Sequence, residues 1–189
     1  MIRTHCRRGG FSLLELMIVV GITMAVAAIA IPRAVTATQN FKLRSTASSV
    51  SGLIQKARMF AVARNGFYPV LTGGSGSSTY AFIDMNGSLS MNTTAENTNV
   101  LVPANITFSS AGHPADATIL NGLTAVYSLP QFNPRGLPCF GTPCTADSSK
   151  MYIMFLRQDR AIGGTGWAAI NITPAGRVQV WTWDGSKWE

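Results

Sequence analysis

The run from Phe11 to Ile31 constrains this chain more than any other stretch: it has 21 residues and a single charge, Glu15. As an α-helix rising ~1.5 Å per residue it extends about 31 Å, the thickness of one bilayer core. Glu15 lies only one turn in. A carboxylate at that depth is penalised by about 2.5–3.5 kcal/mol, so it needs a compensating partner unless it snorkels to the headgroups. Arg3, Arg7 and Arg8 precede the run. The positive-inside rule then places that end in the cytoplasm and everything after Pro32 outside it. An ordinary secretory signal competes with this reading. Ala28-Ile29-Ala30 supplies a small-x-small cleavage site, which would leave a mature chain beginning at Ile31. The length of the run and the acid at its start argue against that signal, and against a plain membrane anchor.

Arg7-Arg8-Gly9-Gly10-Phe11, with Glu15 four residues beyond Phe11, resembles the class III leader of type IV pilins and type II secretion pseudopilins. The resemblance implies that a prepilin peptidase cuts after Gly10 and methylates the new amine on Phe11. Gly10 offers an unhindered bond, and Phe11 keeps the new terminus in the membrane. It also implies that Glu15 meets the charged amine of a neighbouring subunit's Phe11. Each charge is costly alone in lipid, and close pairing recovers much of that cost, so the pair would set the axial register of a filament. The implied partners are other major and minor pilins or pseudopilins, the peptidase, an inner-membrane assembly platform and membrane lipid. The implied location is the inner membrane and then a pilus or pseudopilus, with no cofactor.

Pro32 lacks an amide donor and its ring clashes with the preceding turn, so it ends or kinks the apolar run; the pilin family commonly has a proline here. Beyond it Leu43, Ala47, Val50, Ile54, Ala57 and Ala61 recur at steps of three and four, the signature of an amphipathic helix. Ser45, Ser48, Ser51, Gln55 and Arg58 fall largely on its other side, and Asn65-Gly66 is a stop signal. The division this predicts is a removed leader (1–10), a transmembrane half-helix (11–35), an amphipathic half-helix (36–65) and a periplasmic β-rich domain (66–189). The net charge of +7 follows the same division. Arg33, Lys42, Arg44, Lys56, Arg58 and Arg64 lie in a segment without acids, whereas six basic groups face seven acidic ones from residue 65 on. This is the pattern of a solvated helix face beside anionic lipid.

From Gly66 short β-prone runs alternate with Gly, Asn, Pro and Ser. The predicted strands are 67–72, 79–84, 100–108, 124–129 and 151–156, with a hairpin of 167–172 and 177–183 around Thr173-Pro174-Ala175-Gly176. Asp84 reads as a turn acid before Asn86-Gly87. The helix end Ala61-Val62-Ala63-Arg64-Asn65-Gly66, the segment Asn133-Pro134-Arg135-Gly136 and the Thr173–Arg177 turn are similar to the GspH/FimT branch of minor pilins and pseudopilins. That likeness implies an α+β pilin fold, a long N-terminal helix packed on antiparallel β-sheet. Cys139 and Cys144 have four residues between them. Beyond the cytoplasm they read as a disulfide, stabilising by about 2 kcal/mol in the chain-entropy model, with free thiols or half a zinc site as alternatives.

Enzyme chemistry finds no foothold: no Gly-rich phosphate loop, zinc-ligand set or nucleophile elbow is present. His113, in Ala-Gly-His-Pro, reads as a loop residue. Nucleic acid is the stronger rival, because some FimT-like minor pilins capture DNA. Arg177, Gln179, Trp181 and Trp183 share one strand face, and Arg135, Lys150 and Lys187 add charge if the fold gathers them. Tryptophans packed on a neighbouring strand are the plainer reading. The near-neutral domain also argues against a DNA footprint. Gly176-Arg177-Val178-Gln179 carries glutamine where the DNA-capturing members have a second basic residue.

Overall fold

The computed structural model describes residues 12–75, 78–90, 98–160 and 163–189. The chain divides into two compact units, Met1–Thr38 and Gln39–Glu189, and helix α1 (Leu13–Ala63) runs through both. Pro32 lies inside α1 and does not terminate it. Glu15 occupies the first turn, where a carboxylate complements the positive end of the helix dipole. The C-terminal stop falls where the sequence places it. Asn65 takes the left-handed conformation (φ 50°) and Gly66 N–H donates to Ala61 C=O at 3.1 Å, a Schellman-type closure.

In the first unit the large apolar side chains of α1 from Leu13 to Ile31 are exposed. Leu13 is 76% exposed and Met24 68%. The threonines there bond back to the helix: Thr23 donates to Val20 C=O (2.9 Å) and Thr36 to Pro32 C=O (3.0 Å), so neither hydroxyl needs an outside partner. The second unit uses the rest of α1 in the opposite way. Leu43, Ala47, Val50, Ile54, Ala57 and Ala61 are all buried, as the periodicity predicts, and the small alanines let the sheets approach closely. Guanidinium groups add ties at the rim of this contact. Arg44 reaches Thr182 Oγ1 (3.2 Å), Arg58 reaches Gly176 C=O (2.8 Å) and Arg160 reaches Asn40 Oδ1 (2.7 Å).

Two sheets complete the second unit. The first orders its strands β3-β2-β1-β6: β1 (Tyr68–Ser75) and β2 (Ser78–Ile83) form a hairpin, flanked by β3 (Asn99–Val102) and the short β6 (Gln131–Phe132). The second orders β4-β7-β8-β9, from β4 (Ile106–Phe108), β7 (Lys150–Gln158), β8 (Gly166–Ile172) and β9 (Val178–Thr182). The predicted strand 100–108 is therefore two strands in different sheets. Pro103 donates no hydrogen bond, and its carbonyl accepts from Ile106 N–H (2.8 Å), which turns the chain out of one sheet and into the other. The pairing is antiparallel with one exception, β5 (Thr124–Val126), which lies parallel to the start of β7.

Side chains alternate across the second sheet. Tyr152, Met154, Leu156, Ala168 and Ile170 join the helix-side core. Met151, Ile153, Phe155, Trp167 and Ala169 form a second cluster on the other face. Short helix α2 (Ala117–Leu120) covers part of that face through Ile119. The C-terminal residues cover more of it: Trp188 is buried and donates from Nε1 to Ala115 C=O at 2.8 Å. Asp84 is buried beside the β2 turn, where its carboxylate accepts from the amides of Gly87 (2.7 Å) and Leu89 (3.1 Å), the turn-acid role read from the sequence.

Candidate assembly site

Of the residues singled out by the sequence, Gly10 and Phe11 lie outside the described residues. Glu15 is exposed on the first turn of α1. No hydrogen bond or ion pair to it occurs among the described residues, and its neighbours Leu14 and Leu16 are 68% and 58% exposed. Among the described residues this leaves an exposed carboxylate at the start of an apolar half-helix. α1 is the one helix among the described residues long and apolar enough to cross a membrane. Cys139 and Cys144 are joined as a disulfide. It ties the loop after β6, where Tyr152 O–H donates to Cys139 C=O from the adjoining sheet.

The residues proposed for nucleic acid do not form one surface. Trp181 and Trp183 pack against the second cluster, Trp183 meeting Trp188 edge-on with ring centres 5.3 Å apart. Their faces serve the domain interior. Gln179 is half-buried beside Asn171 on the adjacent strand. Lys187 sits in the C-terminal turn at the far end of β9, its amide bonded to Asp184 Oδ1 (2.8 Å). Lys150 pairs with Asp147 (3.0 Å). His113 stacks on Phe155 at 4.3 Å with the rings 9° apart, and its Nδ1 donates to Pro114 C=O, a packed loop residue. Beside it Tyr127 donates its hydroxyl to Asp116. Burial first, and that carboxylate second, push the phenol up to about 12.

Arg177 has different company, which the sequence did not reveal. Arg58 reads there as part of a solvated face, yet its guanidinium is held where two turns meet. A methyl group on Gly176 would lie 3.0 Å from both Arg58 Cζ and Gly136 C=O, and one on Gly136 would lie 3.3 Å from Arg58 Nε. Both glycines have positive φ (79° and 73°). The fold thus draws Asn133–Gly136 and Thr173–Arg177 together around one arginine and brings Arg135 and Arg177 to the same end of the domain. Helical spacing could not show this, because the partners are backbone groups far along the chain.

Comparison with known proteins bears on the N-terminus most directly. Residues 6–31 match the family model of the prokaryotic N-terminal methylation motif. No curated protein matches the chain. Among solved structures, the type IV minor pilin FimU of Pseudomonas aeruginosa (strain PAO1) is similar at 17% identity and a TM-score of 0.46. The match covers 80% of this chain and 96% of that one. The chain thus joins a prokaryotic N-terminal methylation motif to a long helix and antiparallel sheets, the features on which a type IV pilin-like reading rests.

Proposed function

We propose that the chain is a minor pilin or pseudopilin. It is stored in the inner membrane with its first residues cytoplasmic, cut between Gly10 and Phe11, methylated on Phe11, and packed into a filament through the first half of α1 to initiate or cap assembly. The carrying observation is that apolar half-helix, uncovered from Leu13 to Ile31 and bearing the single acid Glu15. A rod of this kind cannot persist in water, so it leaves lipid only as neighbouring helices replace the lipid around it. Glu15 then finds its cation in the amine of an adjacent subunit, at a depth where an unpaired charge is costly.

Two measurements test the reading. Intact mass of the protein recovered from cells is expected to show a chain beginning at Phe11 with one added methyl group; a soluble chain beginning at Ile31 overturns it. Glu15→Val is expected to remain membrane-bound and processed yet to be lost from sheared filaments. Incorporation at the unaltered level removes the role assigned to this carboxylate.

A further inference from the structure

The open edge of β9, with the wall of α1 beside it, makes a groove that none of the described residues fills. Thr173 N–H donates to Arg177 C=O and Trp183 N–H to Trp167 C=O, so odd-numbered residues of β9 direct their backbone toward β8. The even-numbered ones direct theirs outward. Thr182 is satisfied there by Glu189, in bonds of 2.8 and 3.0 Å. Among the described residues Val178 and Val180 have no such partner, since β9 is last in its sheet. Alongside runs α1. Its Arg44 touches Thr182 and its Arg58 touches Gly176, so helix and strand run antiparallel. Fourteen helical steps rise about 21 Å and six strand steps about 20 Å, so the two tracks stay level. The groove between them encloses about 640 Å³ near Gly176, with Met59, Val62 and Val178 as apolar lining and Arg58 and Arg177 as charges; no lining residue is acidic.

We propose that this groove receives an extended strand from a partner protein, an apolar segment carrying a carboxylate at the end that meets Arg58, Arg135 and Arg177. The open backbone alternates N–H donors with C=O acceptors, which a peptide strand satisfies in register. A phosphate backbone offers only acceptors, so nucleic acid fits this edge poorly. The apolar wall at Met59 (68% exposed) and Val62 (54% exposed) calls for apolar side chains on the incoming strand, and Arg58, Arg135 and Arg177 at one end, against Arg44 alone at the Thr182 end, set its direction. The subunit reading supplies only the source of the strand, a neighbour in the assembly; the groove itself does not depend on it.

The test uses the full chain in lipid bicelles and a blocked peptide of alternating valine and threonine with two aspartates at one end. Hydrogen exchange at the Val178 and Val180 amides is expected to slow about tenfold at millimolar peptide, as when the edge is occupied about nine-tenths of the time. The same peptide ending in two lysines leaves exchange unchanged. The double variant Arg135→Glu with Arg177→Glu reverses that preference. Among the described residues neither arginine side chain makes a hydrogen bond or ion pair, and the Trp183–Trp188 emission provides a check that each variant is folded. Unchanged exchange with the aspartyl peptide, or protection elsewhere, overturns the proposal. So does protection already present without peptide that grows with protein concentration, which assigns the edge to a second copy. Oligothymidylate that shifts the Arg135 and Arg177 signals while the aspartyl peptide does nothing assigns the charges to nucleic acid instead. None of these outcomes touches Glu15 or the mature terminus, so this proposal and the subunit reading fail separately.

Discussion

A methyl group at Gly136 would arrive 2.8 Å from Val62 Cγ2, on a backbone with φ 73°. Gly136→Ala is therefore expected to destabilise the folded domain by about 1–3 kcal/mol in urea unfolding. Adding Val62→Ala should recover the part due to overlap and leave the part due to backbone conformation. Arg58→Ala removes a charge-assisted bond to Gly176 C=O and should cost about 1.5–3 kcal/mol. Tyr127 gives a pH signature. Its phenol titrates at about 12 in the folded protein against an ordinary 10.0. A raised pKa means the folded state holds the proton longer. The stability this lends is full below pH 10 and lost as pH rises toward 12. Tyr127→Phe should flatten the unfolding midpoint across that window.

Two halves of one helix have opposite surroundings, and substitutions should divide accordingly. Ile54 is fully buried in the helix-side core, so Ile54→Ala should destabilise the domain by about 2–5 kcal/mol. Ile22 is 59% exposed, and Ile22→Ala should leave domain unfolding unchanged. α1 was also the most legible element: its buried stripe, its C-terminal stop and its apolar half follow from local spacing. The strands were legible where they were long, as in the β8–β9 hairpin. They were not where tertiary pairing decides. Gln131–Phe132 is a strand only because Tyr68 and Pro69 lie opposite, and β5 is parallel only because of where β7 begins. Arg177 and the tryptophans shared a face on paper. In the structure Arg177 lies in the turn before β9 and lines the groove beside α1, whereas Trp181 and Trp183 pack into the second cluster on the side away from the helix, a separation that alternation along one strand could not show.

Across the whole chain, the exposed apolar half of α1 and the buried core fall in separate units, Met1–Thr38 and Gln39–Glu189. The paired variant Cys139→Ser with Cys144→Ser should lower domain stability by about 2 kcal/mol without changing the amount recovered with membranes after carbonate washing. The second cluster holds all four tryptophans, Trp167, Trp181, Trp183 and Trp188. Every indole chromophore therefore watches the same side of one sheet, the side turned away from the helix. Emission colour will register solvent entering beneath α2 or release of the C-terminal residues. Local loosening at Ile54 will pass without an optical trace until the sheet itself gives way.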